Sequence, residues 1–412
     1  MSNSWLYELF INDAKAALNS RGPSSGGTTT PSTPSAPVDL PAKEVNFRDY
    51  DGTVLYAYTV AEAAALTKLP PLPERKGLIC QGWNWSLEDI KTHGRAVEVG
   101  AMYITDDGKT RIYVELAEGK TAPRLGCYIN GSVTVDWGDG SEPDIITGTI
   151  ADSNDTSKLQ WTPAHKYADH GKYVITLSVD GEVGIAGSSH SSYGGSYLCS
   201  GTNAAGVNSN EIYYASIYKI ELGAGITVLI NAAFRHLYML RYITIPQNIS
   251  KIGAYAFDGC KSLRHVTIPN DVTTISTSHI CYHCCSLHSI SVPFNTPSFA
   301  YNAFSGCDVL SYVTIHENIT AIGNDAFNAN DRLTVVRIPK AVKSIPARAF
   351  QACYGLVRMD FSNHETVPTL GDSSTAIEKN AYSLKILVPS ALLEEWKAAT
   401  NWSNYADKIV GV

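Results

Sequence analysis

The chain has 412 residues, 44% of them hydrophobic and only 17% charged, with 32 glycines, 23 tyrosines and a formal net charge of −7. That length predicts two or three domains rather than one core, and the composition favours β-rich, loop-rich architecture over helical bundles. An isoelectric point near 5.9 argues against nucleic acid or an anionic membrane as the main partner, and no apolar run is long enough to span a bilayer.

Residues 1–19 read as a short amphipathic helix with Trp5, Leu6, Leu9, Phe10, Ala16 and Ala17 on one side. A helix this short is marginal alone in water, so an anchoring role is expected, on another copy of the chain or on a larger assembly. Met1 to Leu18 has no basic start, and Glu8, Asp13 and Lys15 fall where a signal peptide's apolar core would lie; Sec-type export is therefore not expected. Residues 20–44 form a flexible linker, with Gly, Ser, Thr and Pro dominating 21–37.

Residues 45–120 predict a small α+β module. Val54 to Thr59 is strand-like and Ala61 to Leu69 helical, while Ser86 caps a helix carrying Asp89 in its first turn. Met102–Thr105 and Thr110–Leu116, separated by Asp106-Asp107-Gly108-Lys109, predict a hairpin, because Asp-Gly supplies a positive-φ turn.

Residues 121–183 carry strands whose apolar residues alternate into a core. Val133 and Val135 precede Trp137-Gly138-Asp139-Gly140, then come His165-Lys166-Tyr167 and the strand Tyr173, Ile175, Leu177, Val179. These landmarks, in this order, resemble a PKD-type immunoglobulin-like domain. Asp136 and Asp139 suit either a capped turn, the commoner use, or a calcium site. Residues 184–212, rich in Gly, Ser and Asn, read as a connector.

An internal period organises residues 213–361. Leucines recur at 240, 263, 287, 310, 333 and 356, in steps of 23, 24, 23, 23 and 23 residues. About six residues before each lies an anchor: Phe234, Phe257, Ile280, Phe304, Phe327 and Phe350. Five residues after each comes Ile245, Ile268, Val292, Ile315, Ile338 or Phe361. Such turns cover their apolar residues only by stacking, which defines a solenoid. Cys260, Cys284, Cys307 and Cys353 fall three before the leucines, where a small apolar side chain packs. The group His279, Cys281, His283, Cys284, Cys285 and His288 mimics zinc spacing but lacks a second C-x-x-C pair, so no metal is expected there.

The copies Ile252 to Pro269 and Ile322 to Pro339, with their Ala-Phe, Cys or Asn, Leu and Val-x-Ile-Pro positions, resemble BspA-like leucine-rich repeats. After Phe361 the period dissolves, and residues 362–412 read as a cap with a last strand at 382–389 and a helix starting at Ser390. The fold class expected is thus multidomain and β-rich: helix and tether, α+β module, PKD-like sandwich and C-terminal solenoid.

The positions two and four after each leucine are expected to point outward: Tyr242, Thr244, His265, Thr267, Ser289, Ser291, Tyr312, Thr314, Val335, Arg337, Arg358 and Asp360. They form either a solvated Thr-rich face or the contact surface that repeat proteins use. Enzyme motifs do not hold. Gly108-Lys109-Thr110 ends like a P-loop, but Tyr103 occupies the required glycine position, and His364-Glu365 lacks the second zincin histidine. No catalytic residue and no cofactor is expected. The family resemblance implies adhesion to a host-surface protein or glycan. The order of modules is similar to phage tail or virion-surface proteins; a bacterial surface adhesin and a structural decoration protein are the alternatives.

Overall fold

A computed structural model describes residues 42–116, 125–152, 158–186, 217–294, 296–311, 313–371 and 376–412. The helix expected around Trp5, Leu6, Leu9 and Phe10, most of the linker, and residues 187–212 of the connector lie outside the described residues.

The first part is a mixed sheet with two short helices. Its elements are β1 (Val45–Arg48), β2 (Val54–Tyr58), α1 (Val60–Ala64), β3 (Leu78–Trp83), α2 (Leu87–His93) and β4 (Val97–Thr105), with strand order β2-β1-β4-β3. Both helices start in capping boxes, Thr59 with Glu62 and Ser86 with Asp89, which satisfy otherwise orphaned amide donors. Phe47, Trp83, Val97 and Val99 form its core, with Phe47 and Trp83 meeting edge to face at 5.0 Å.

The turn at Gly108 forms as expected, with φ +70° and its amide donating to Thr105. The hairpin does not. The stretch expected to pair with Thr110–Leu116, Met102–Thr105, pairs antiparallel with β3 instead, while β1 takes Val97–Gly100. The next strand, β5 (Thr110–Leu116), crosses into a second sheet and buries Ile112, Val114 and Leu116 there.

That sheet adds β6 (Gly126–Asp136), β7 (Asp144–Thr149), β8 (Gln160–Trp161) and β9 (Gly171–Ile185). The PKD-like landmarks pack together: Trp137 is fully buried and its carbonyl accepts from the Tyr167 hydroxyl at 2.8 Å. These strands do not close into a separate sandwich. β10 (Ile217–Glu221) pairs with β5, and β11 (Ile226–Leu229) pairs with the end of β9, through Ile185 in the segment expected to be connector. Both strand rows of the solenoid thus begin on this sheet, and its apolar residues form one core with the repeats, from Ile112 to Ile409. Gly131 and Gly181 sit opposite each other at φ +119° and +109° between the stretch of β9 held by β5 and the stretch held by β11. A Cβ on either would strike the other strand's carbonyl.

The C-terminal half is a β-solenoid of about eight turns. One row of parallel strands includes Tyr242–Thr244, His265–Thr267, Ser289–Ser291, Val335–Arg337, Arg358–Asp360, Lys385–Val388 and Ile409–Gly411. All six repeat leucines are fully buried, as expected of an internal row. The cysteine column is buried too, and each member donates to a main-chain carbonyl of the preceding turn. Cys260 and Cys284 reach Phe234 and Phe257 at 3.0 Å, Cys307 reaches Cys281 at 3.1 Å, and Cys353 reaches Phe327 at 3.0 Å. Asn330 makes the same contact with Phe304 at 3.1 Å. From Cys260 onward the column thus holds a small side chain that donates, whereas Leu237 fills the same position before Leu240 without a donor.

One anchor is corrected. The backbone register pairs Phe257 N–H with Ile280 O and Cys281 N–H with Ala303 O, as Phe304 N–H pairs with Ala326 O. Cys281, not Ile280, occupies the phenylalanine position, and Ile280 takes the place of the usual alanine. A larger residue at one position offsets a smaller one beside it, and core volume is kept. Elsewhere the rings stack, Phe327 on Phe350 at 5.1 Å and 4°.

At the far end α3 (Leu393–Ala398) supplies Trp396, which packs with Trp402 against Phe361 at 4.9 and 5.5 Å. Strands Lys385–Val388 and Ile409–Gly411 carry the ladder beyond Phe361, where the sequence period fades.

Candidate binding surface

The strand row places the eleven expected contact residues that are described on one face, and the structure covers most of that face. Thr244, His265, Thr267, Ser289, Ser291 and Thr314 are all buried, because β4 and the Trp83-Asn84-Trp85 segment lie across their strands. This corrects the expectation of an open polar face from the first repeat onward. Tyr242 is half-buried against Tyr50, and Tyr312 lies outside the described residues.

The covering contact is specific. Asn84 donates to Ile268 O at 3.1 Å and to Ser291 Oγ at 2.7 Å, and its own Oδ1 accepts from Gly100 N at 2.8 Å. Ser291 in turn donates to Glu98 O at 2.6 Å, and Trp85 Nε1 donates to Val292 O at 3.3 Å. Gly100 crosses directly over Thr267, where any Cβ would overlap the threonine side chain. Arg95 and Glu317 pair at the rim. The small Ser and Thr residues let one strand approach another, and their hydroxyls satisfy groups that the approach dries.

Titratable groups at this junction are held in unusual states. Burial pushes His265 down to about 3, helped by the Arg48 guanidinium, while its ring nitrogens face Ser289 Oγ at 2.8 Å and Thr267 Oγ1 at 3.1 Å. Burial also pushes His93 and His316, both packed against Trp85, down to about 4. Glu98 is raised by burial, against the opposing pull of Arg48 and Asn46.

The remaining expected contact residues stand clear of the covering module. Arg337 and Arg358 are exposed and Val335 half-buried. Asp360 is a second correction: it is buried, because Arg337 pairs with it at 2.9 Å and Ser362 N donates to it at 3.0 Å.

Asp136 and Asp139 act as turn caps. Asp136 accepts from Gly138 N at 2.9 Å, and Asp139 accepts from Ser141 N at 3.1 Å and His165 Nε2 at 2.7 Å. Burial alone would raise the Asp139 carboxyl, but Ser141 and His165 outweigh it and hold it at about 2. The histidines around Cys281 split apart: His279 stacks on Tyr255 at 4.4 Å, His283 stacks on Tyr282 at 3.9 Å, and Cys281 and Cys284 face the core.

The sequence reading missed Asn84, Trp85 and Gly100. A signal was present, since Val97 to Thr105 is nearly continuously apolar, as in strands covered on both faces.

Parallel strands in register, a buried leucine row and turns of about twenty-three residues define a leucine-rich-repeat solenoid. Residues 205–281 and 276–386 match the BspA type leucine rich repeat region in six copies, so this part of the chain is of the BspA type. The chain is similar to a leucine-rich repeat protein of Treponema pallidum, at 23% identity over 46% of this chain and 78% of that one, with a TM-score of 0.35. It is also similar to leucine-rich repeat proteins of Bacteroides ovatus (18% identity, 47% of this chain and 53% of that one, TM-score 0.37) and Eubacterium ventriosum (24%, 41% and 43%, 0.35). No curated protein sequence matches significantly.

Proposed function

We propose that this is a non-enzymatic binding protein that recognises a surface protein or glycan through the part of its strand face left uncovered. The observation that carries this reading is the division of one face into two. From Tyr242 to Thr314 the face is largely buried by the chain's own β3–β4 segment, whereas Val335, Arg337, Arg358 and Lys385 continue it in the open. Repeat solenoids bind through such extended faces, and here the covered rungs give the open ones a rigid base. The order of modules supports attachment to a virion surface, with residues 1–19 as the anchor and a host-cell component as the target.

The test is binding of the full-length chain to candidate host cells. Substitution of Val335 and Arg358 on the open rungs is expected to abolish it, while substitution of Arg241, exposed on a covered rung, leaves it intact. Equal loss from both sites, with folding preserved, would exclude the open face. Detection of the chain in purified phage particles tests the attachment.

A further inference from the structure

The open rungs carry a column of cations. Arg358 and Lys385 are register partners on adjacent parallel strands, and both are exposed. Lys408 continues the column on the next rung, where its carbonyl accepts from Ile386 N at 2.9 Å. At a rung spacing of about 4.8 Å the three positions span roughly 10 Å along the solenoid axis.

Like charges on adjacent strands repel, and four other cations of the solenoid are compensated: Arg235 by Asp258, Arg337 by Asp360, Arg348 by Asp325 and Lys340 by Glu365. Exposed Arg241 and Arg264 form no such pair among the described residues. Among the described residues, Arg358, Lys385 and Lys408 form no ion pair; Asp407, beside Lys408 in the chain, is exposed and forms none either. A chain of net charge −7 thus keeps three cations without a carboxylate partner in a row. Arg358 and Lys385 are exposed, while half-buried Lys408 donates its ammonium to Tyr382 O at 3.3 Å. Each of the first two rungs also brings an exposed tyrosine ahead of its cation, Tyr354 at 58% and Tyr382 at 98% exposure. Lys408 lies over one face of the Tyr382 ring at 5.5 Å.

We propose that this column is the subsite for an acidic polysaccharide, a glycan bearing carboxylate or sulfate groups, laid along the solenoid axis. The cations take the anionic groups, and the tyrosine rings take the apolar faces of the sugars. This rests on the reading of the open strand face as the recognition surface and specifies the ligand class. An acidic protein segment would meet the charges but has less use for the exposed rings.

The experiment uses the full-length chain and four immobilised probes: heparin as the sulfated glycan, polygalacturonate as the carboxylated glycan, neutral dextran, and poly-glutamate. Binding to heparin or polygalacturonate is expected, weakening steeply as salt rises, with little binding to dextran or poly-glutamate. Arg358→Gln with Lys385→Gln is expected to weaken glycan binding at least tenfold, and Tyr382→Ala several-fold; all three residues are exposed, and unchanged thermal unfolding verifies the fold. Binding of poly-glutamate as tight as that of the glycans would overturn the proposal, as would glycan binding indifferent to the double substitution. If the chain adheres to cells but ignores both acidic glycans, this assignment falls and the recognition face stands. If it adheres to nothing, both fall.

Discussion

The Ser291 hydroxyl donates to the main-chain carbonyl of Glu98 at 2.6 Å, across 193 residues of sequence. Through this contact Ser291 of a repeat strand is tied to the first module of the chain, although the β5–β9 sheet lies between them in sequence. The solenoid's strand face is therefore partly an internal interface, and several expectations follow from its chemistry.

Gly100 and Thr267 should be strongly coupled. Gly100→Ala forces a methyl group onto the threonine and is expected to cost about 1–3 kcal/mol. Thr267→Gly in the same chain should recover much of that loss. Urea denaturation of the four-member cycle measures the coupling, and simple additivity would show that the strands have room to spread.

Stability should fall on acidification below neutrality. His93, His265 and His316 have folded values near 4, 3 and 4, below the ordinary 6.5. Each is neutral when folded and protonates when unfolded. Their contribution is complete above pH about 6.5 and is lost as pH falls toward the folded values. Glu98, raised by burial, works in the opposite direction. His316→Phe, which keeps a ring between Trp85 and Phe294, should reduce the pH slope of unfolding free energy by about one proton between pH 6 and 4.5. An unchanged slope would mean that His316 is already charged in the fold.

Asn330→Cys should stabilise the protein. Asn330 Nδ2 makes the column's hydrogen bond to Phe304 O, but its Oδ1 is buried and unpaired. A thiol keeps the donor and removes the unpaired acceptor, a change of about 1 kcal/mol. Thermal unfolding under reducing conditions reads it; a lower melting temperature would point to a partner for Oδ1.

The exchange at Ile280 and Cys281 should be reversible only as a pair. Cys281→Phe alone overpacks the turn against Ile280 and is expected to cost about 1–3 kcal/mol. Cys281→Phe with Ile280→Ala restores the arrangement of the neighbouring turns and should lie close to the starting stability. Chemical denaturation of both variants decides this.

Much of the solenoid was legible because its determinants repeat. Leu263, Leu287, Leu310 and Leu333 announce a buried row by spacing alone, since a turn that cannot cover its own leucine requires a neighbour. The one-residue insertion before Cys281 was visible as a step of 24, but which residue took the phenylalanine site was not; backbone register between turns decided it. The hairpin expected around Gly108 failed for a related reason. Asp-Gly fixes a local turn, whereas the partner of β5 depends on which sheet edge is free.

By itself the amino-acid sequence determined the repeat, the leucine row, the buried cysteine column and the open-ended need for caps. All of these follow from side chains that recur at a fixed interval and act within one turn or on the next. Only the tertiary structure decided which outward residues meet solvent. Thr267, Ser291 and Thr314 have the composition of a solvated face, yet they are buried under Gly100, Asn84 and Glu98. Polarity shows that a side chain can be hydrated or hydrogen-bonded; whether water or a distant strand supplies the partner is settled when the whole chain has packed.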